Sequence, residues 1–286
     1  MSEIETKEIV CKASSWIKIR AILILAMLAV FAVLFYQDGT TGYKEKNLHF
    51  FMNRLFTEQA PQMASEGEYT AESWAEFAKG EEVPFEQGES GVVAKSAKGE
   101  LCPVPDTALG MEWPEELIQG YEKLKDGGAS SGPKELWRDY TKRMEWDAEP
   151  KEEPYDLDTV NEQFYFSYGS VALFVVVLFF FLRTLSRTMR VTDEAYFAPG
   201  GKEIPFTAMK RIDKRKWDTK GVAVIYYDDA GGSKKTKVDG MIYGQFKKED
   251  GEPAEKLFSK ILENFKGEVV EYESDDPVSE EAEASV

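Results

Sequence analysis

The sequence predicts an α+β membrane protein with two transmembrane helices, a small helical extracytoplasmic domain between them, and a C-terminal β-roll capped by a single helix. Three observations carry this prediction. Two apolar blocks, at residues 17–36 and 164–185, interrupt a chain that is otherwise rich in charge, 30% overall. Basic residues flank the first block on its N-terminal side and the second on its C-terminal side. After Arg190 the apolar pattern changes from helical spacing to the alternation of strands.

Residues 1–16 read as a cytoplasmic N-terminal tail. The first span covers residues 17–36 and contains an unbroken apolar run from Ala21 to Phe35. A bilayer core of about 30 Å needs about 20 helical residues. Lys18 and Arg20 can snorkel, which brings Ile17 and Ile19 into the span. Trp16 and Tyr36 then fall where interfacial aromatics belong. A cleaved leader ending at Val30-Phe31-Ala32 is the competing reading, but the apolar run continues past it through Phe35.

Residues 37–163 hold 28 Asp and Glu against 13 Lys and Arg. They read as short helices: one over 47–56, one capped by Thr70 and stopping at Gly80, one opened by Pro114 and stopping at Gly127-Gly128, and one opened by Pro133. Four of the six tryptophans lie here, Trp74, Trp113, Trp137 and Trp146. Each shares a helical face or a turn with aliphatic residues, so a core role is favoured over an exposed binding face. The acids Glu149, Glu152, Glu153, Asp156 and Asp158 lack the spacing of a calcium loop and read as a solvated linker.

The second span covers residues 164–185, wholly apolar over 171–182. Tyr165 and Tyr168 form an aromatic collar at its start, and Arg183, Arg187 and Arg190 a basic collar at its end. With Lys7, Lys12, Lys18 and Arg20 before the first span, the positive-inside rule places both termini in the cytoplasm and residues 37–163 outside.

Residues 189–267 carry 18 of the 35 basic residues if Arg183 and Arg187 are counted with them, and read as a cytoplasmic domain. Short strands alternate with turns, including Pro199-Gly200-Gly201. A helix opened by Pro253 places Leu257, Phe258, Ile261 and Phe265 on one face. The run Thr192-Asp193-Glu194-Ala195-Tyr196-Phe197, a glycine turn, then Ile204-Pro205-Phe206 leading to 209–212, resembles the opening motif of bacterial PH-like domains. Those domains commonly carry Gly where this chain has Ala195. The whole layout resembles uncharacterised two-span membrane proteins of planctomycete and verrucomicrobial type, which implies a PH-like fold and a bacterial inner membrane but no activity.

Lys210, Arg211, Lys214, Arg215, Lys216 and Lys220 form a basic segment that would meet anionic lipid or a protein partner. Read as one strand, it puts Lys214 and Lys216 on one face and Arg211 and Arg215 on the other. Residues 268–286 hold eight acids and no base and read as an acidic tail, disordered after Glu273.

The net charge of −17 disfavours a nucleic-acid partner. Cys11 and Cys102 fall on opposite sides of the bilayer and cannot pair. Cys102 reads as a plain buried thiol rather than an intersubunit bridge. With one histidine, His49, and no cysteine pair, no metal or cofactor site is expected. No serine triad, Walker loop or dinucleotide fingerprint occurs, and Gly231-Gly232-Ser233-Lys234 reads as a hairpin turn. The expectation is a non-catalytic membrane scaffold or adaptor with an envelope or membrane protein partner, and a homo-oligomer is compatible with that reading. The alternatives are an accessory subunit of a transport or secretion complex, or a membrane hydrolase using outer-domain acids.

Overall fold

The computed structural model describes residues 8–126, 131–244, 246 and 251–271. It is α+β, and the chain divides into two compact units, one of Met1–Met27 with Phe174–Val286 and the other of Leu28–Leu173. Strand β1 (Ile9–Lys12) leads into helix α1 (Ser15–Gln37). A π-helical turn (Asp38–Gly42) passes into α2 (Tyr43–Arg54), and a second (Leu55–Gln59) into α3 (Ala60–Glu66). Helix α4 (Ala71–Lys79) precedes β2 (Glu86–Gly88), β3 (Gly91–Lys95) and β4 (Leu101–Pro103). Short helices α5 (Glu115–Ile118) and α6 (Tyr121–Leu124) are followed by α7 (Gly132–Met144) and the long α8 (Leu157–Leu185).

After α8 come β5 (Thr188–Val191), β6 (Ala195–Phe197), β7 (Glu203–Pro205) and β8 (Met209–Asp213). A one-turn helix α9 (Trp217–Lys220) leads to β9 (Val222–Asp229) and β10 (Gly232–Asp239). Helix α10 (Pro253–Asn264) and β11 (Glu268–Val270) complete the described chain.

Helices α1 and α8 are long and apolar enough to cross a membrane, and only 11% and 6% of their most apolar windows are buried within the protein. A core helix of a soluble fold would be covered; these are not. The two approach closely where Gly39 faces Phe164: a Cβ at Gly39 would lie 3.0 Å from that ring. Ser167 Oγ donates to the Ala32 carbonyl at 2.8 Å. The π-helical turn leaves carbonyls without their usual amide partner, and Thr40 and Thr41 hydroxyls donate to the Gln37 carbonyl at 3.2 Å each.

In the unit Leu28–Leu173 the tryptophans are core. Trp74, Trp113 and Trp137 are buried with Phe56, Met52, Leu55, Leu117 and Leu124. Two indole N–H groups donate to backbone carbonyls, Trp74 to Leu117 at 2.9 Å and Trp137 to Ala148 at 2.8 Å. Thr70 caps α4 with a reciprocal Thr70–Ser73 box, as its sequence predicts.

The unit departs from the all-helical expectation in three places. Residues 86–103 form a three-stranded sheet of order β2-β3-β4, whose strands are too short to show a period in sequence. The helix expected from Pro114 breaks at Gln119-Gly120 into α5 and α6, where a Cβ at Gly120 would clash with the Glu116 carbonyl and the Leu136 side chain; its expected stop at Gly127-Gly128 lies outside the described residues. Asp156, read as part of a solvated linker, caps α8 by accepting from the Thr159 amide at 2.8 Å and so starts that helix seven residues before the expected span.

The other unit is built on two four-stranded sheets, β1-β5-β6-β7 and β10-β9-β8-β11, which share one core with α10. The sheets are tied where the Tyr196 hydroxyl donates to the Lys237 carbonyl at 3.1 Å. The sequence reading left residues 1–16 as a tail, whereas β1 pairs antiparallel with β5, Cys11 opposite Met189. Cys11 is buried and its thiol donates to the Pro253 carbonyl of α10 at 3.3 Å. Four residues are too few to declare a strand before its partner is known. Likewise Glu268–Val270, read only as the start of the acidic tail, pairs in parallel with β8; the tail from residue 272, where the expected disorder falls, lies outside the described residues.

Candidate functional site at the helix-proximal face of the C-terminal module

Both long helices enter this module at one end. Ser14, at the head of α1, donates its amide to the Ile242 carbonyl and its hydroxyl to the Met241 carbonyl, each at 2.8 Å. The Gly244 amide donates to the Lys12 carbonyl at 2.9 Å. The same 240–244 loop reaches the end of α8, where the Tyr243 phenol hydrogen-bonds Thr184 and feels Arg187 and Arg183. Burial still dominates and raises the Tyr243 hydroxyl above its usual range.

The six residues of the basic segment are not one patch. Strand β8 ends at Asp213, so the expected alternation of Lys214 and Lys216 against Arg211 and Arg215 does not arise; the chain turns there into α9. Lys210 sits at the far end of β8, 3.5 Å from Asp228. The Arg211 guanidinium lies over the Tyr226 ring at 4.4 Å. Arg215 grips Asp213 through two bonds, Nε to Oδ1 at 3.0 Å and Nη2 to Oδ2 at 2.7 Å, and this holds the Asp213 carboxyl at about 2. Lys214 is anchored to the last described residues, its amide to the Val270 carbonyl at 3.0 Å and its Nζ to Glu271 at 2.8 Å.

Of the six, only Lys216 and Lys220 show neither an ion pair nor a ring contact among the described residues. Lys220 does lie near the helix heads. Gly221, in the left-handed conformation at φ 61°, ends α9, and its carbonyl accepts from the Gly240 amide at 2.8 Å.

The residues expected as interface anchors lie on the two long helices or just beyond them. Trp16 lies exposed in the first turn of α1 and Tyr36 exposed in its last. Tyr165 and Tyr168 are exposed near the start of α8. The helix rise of about 1.5 Å per residue separates Trp16 from Tyr36, and Tyr165 from Arg183, by about 30 Å and about 27 Å. Arg183 and Arg187 stand at the end of α8. Arg190 pairs with Glu8 at 3.1 Å and stacks its guanidinium on Phe197 at 3.9 Å.

Sequence reasoning used Lys12 only as a flank of the first span and Gly200-Gly201 only as a turn; it did not place Lys12 opposite Thr188 across the β1–β5 ladder, nor the turn in a pocket with Arg187 and Arg190. The register of β1 and β6 on β5 is the signal that joins them, and no single-strand pattern carries it. In the unit Leu28–Leu173, Cys102 is buried and its thiol is pushed up to about 11 by burial first, then by Asp156 and Glu100. Among the described residues no three His, Cys, Asp or Glu side chains converge as metal ligands. No family model, no curated protein and no solved structure matches the chain.

Proposed function

We propose that the chain is a non-catalytic scaffold or adaptor that crosses a bacterial inner membrane twice, with both termini cytoplasmic and residues 37–163 outside. The observation that carries this reading is the β1–β5 ladder: a strand just before α1 pairs with a strand just after α8. Two helices whose outer ends enter one folded module on one side must return to that side, which is the geometry of a membrane hairpin. The lengths of the two helices match a bilayer core of about 30 Å, and their uncovered apolar surfaces would be costly in water. The basic residues at those outer ends then make this side cytoplasmic.

The PH-like reading of the module is supported by strand order. Three antiparallel strands, β5 to β7, are followed by three more, β8 to β10, and then by the apolar-faced helix α10. Ala195 occupies the usual glycine position as a fully buried core residue. The adaptor reading rests on two separately folded cores, one per unit, which suits binding on both sides of a bilayer.

A photoreactive amino acid placed at Met63 or Leu109, both exposed, should trap a discrete protein partner in native membranes. Absence of any adduct at both positions, with the chain present in the membrane fraction, would contradict the adaptor reading.

A further inference from the structure

The apolar end of α8 and the polar head of β5 line two adjoining cavities that share Ser186 and Arg187 and are treated as one groove. Its upper part is lined by Phe179, Leu182 and Arg183, at helical spacing on one face of α8, and by Ser186 and Arg187 just past its end. Its lower part, a cavity of about 310 Å³, shares Ser186 and Arg187 and adds Thr188, Arg190 and the Gly200-Gly201 turn. That volume lies at the small end of ligand sites. Among the described residues no carboxylate lines either part. The carboxylate bonded nearby is Glu8, on Arg190. Lys12 stands one strand away, opposite Thr188.

We propose that this groove is a binding site for one anionic phospholipid, with its phosphate held between Arg187, Arg190 and the Thr188 hydroxyl and an acyl chain laid against Phe179 and Leu182. The proposal rests on the two-span reading above and departs from the sequence expectation, which put the lipid contact on the segment 210–220. Four of that segment's six cations are engaged within the module. Arg187, in contrast, makes no ion pair among the described residues. Guanidinium groups bind phosphate oxygens through paired N–H donors, and hydroxyls complete such a site. The gradient from apolar to basic within two helical turns fits a lipid better than a free phosphate, which would leave the upper wall unused.

The test places the full-length chain in phosphatidylcholine nanodiscs doped with a photoreactive phosphatidylglycerol, and maps the adducts by mass spectrometry. Adducts should concentrate in residues 179–201. Arg187→Gln should lower their yield about fivefold, the loss of one basic residue worth about 1 kcal/mol at an anionic surface. Lys216→Gln with Lys220→Gln should leave it unchanged, and excess soluble glycerol phosphate should not compete.

Melting of Arg187→Gln at the wild-type temperature would show that the site, not the fold, was lost. If that variant melts early, Lys12→Gln supplies the second arm and should also reduce the yield. Adducts spread evenly along both helices, an unchanged yield in Arg187→Gln, or an equal loss in the Lys216/Lys220 variant would overturn the proposal. Failure of the chain to enter nanodiscs would overturn the two-span reading, and the site with it.

Discussion

Replacing Asn47 with leucine should destabilise the unit Leu28–Leu173 by about 3 kcal/mol. Asn47 is fully buried, and its side chain joins three segments distant in sequence. Its Nδ2 donates to the carbonyls of Pro103, in β4, and Tyr155, just before α8, each at 2.8 Å, while Oδ1 accepts from the Tyr155 amide at 2.7 Å. Leucine fills the volume but satisfies none of the three.

A buried group left without a partner costs about 1–3 kcal/mol. The Pro103 carbonyl meets that condition in full. The two Tyr155 groups are only part-buried and recover some hydration, so about half the cost applies to each. The total is about 4 kcal/mol, from which the added apolar burial of leucine removes about 1 kcal/mol. Denaturant unfolding of the full chain in detergent, followed by tryptophan fluorescence, reports this unit because four of the six tryptophans lie in it. A loss below about 0.5 kcal/mol, within the range of ordinary surface substitutions, would refute the clamp.

His49 and Cys11 give two further tests. The His49 ring lies between Trp137 and Trp146, each 5.2 Å away between centroids, with its Nε2 buried and unbonded. Burial lowers its pKa below the usual 6.5, so the unfolded chain binds a proton first as pH falls. Stability should therefore be flat above that value and decline below it. The decline should be smaller in His49→Phe, and identical pH profiles of the two melting temperatures between pH 7.5 and 5.5 would contradict this. Cys11→Asp should place an unpaired carboxylate in the module core at a cost of about 3 kcal/mol or more, making residues 189–271 protease-sensitive while residues 28–173 stay resistant. Unchanged resistance would mean that the N-terminal segment is not part of the fold.

What the sequence made legible was what local pattern can carry. The unbroken apolar run before Tyr36, the Thr70 cap and the apolar face of α10 each depend on neighbours within a few residues. The tryptophans could be read as core because they share helical faces with leucines. What it could not carry was pairing at long range. Residues 9–12 become a strand only because Thr188–Val191 lies beside them, and Glu268–Val270 only because β8 offers an edge. The basic segment misled for a related reason: its alternating charges suggested one strand with two faces, but Asp213 turns the chain and most of the cations find partners within the module. The groove beside Arg187 was invisible because its walls come from a helix end, a strand start and a glycine turn that register alone brings together.

The account stands most directly on the sidedness of three positions. Cys11 and Cys102 are each 1% exposed and do not report it, so single cysteines belong at Glu8, Ser65 and Ser233, all exposed. A membrane-impermeant maleimide applied to intact cells should label Ser65→Cys, and should reach Glu8→Cys and Ser233→Cys only after the inner membrane is opened, the two behaving alike because they belong to one module. Labelling of Glu8→Cys and Ser233→Cys on opposite sides, or of all three in intact cells, would contradict the hairpin.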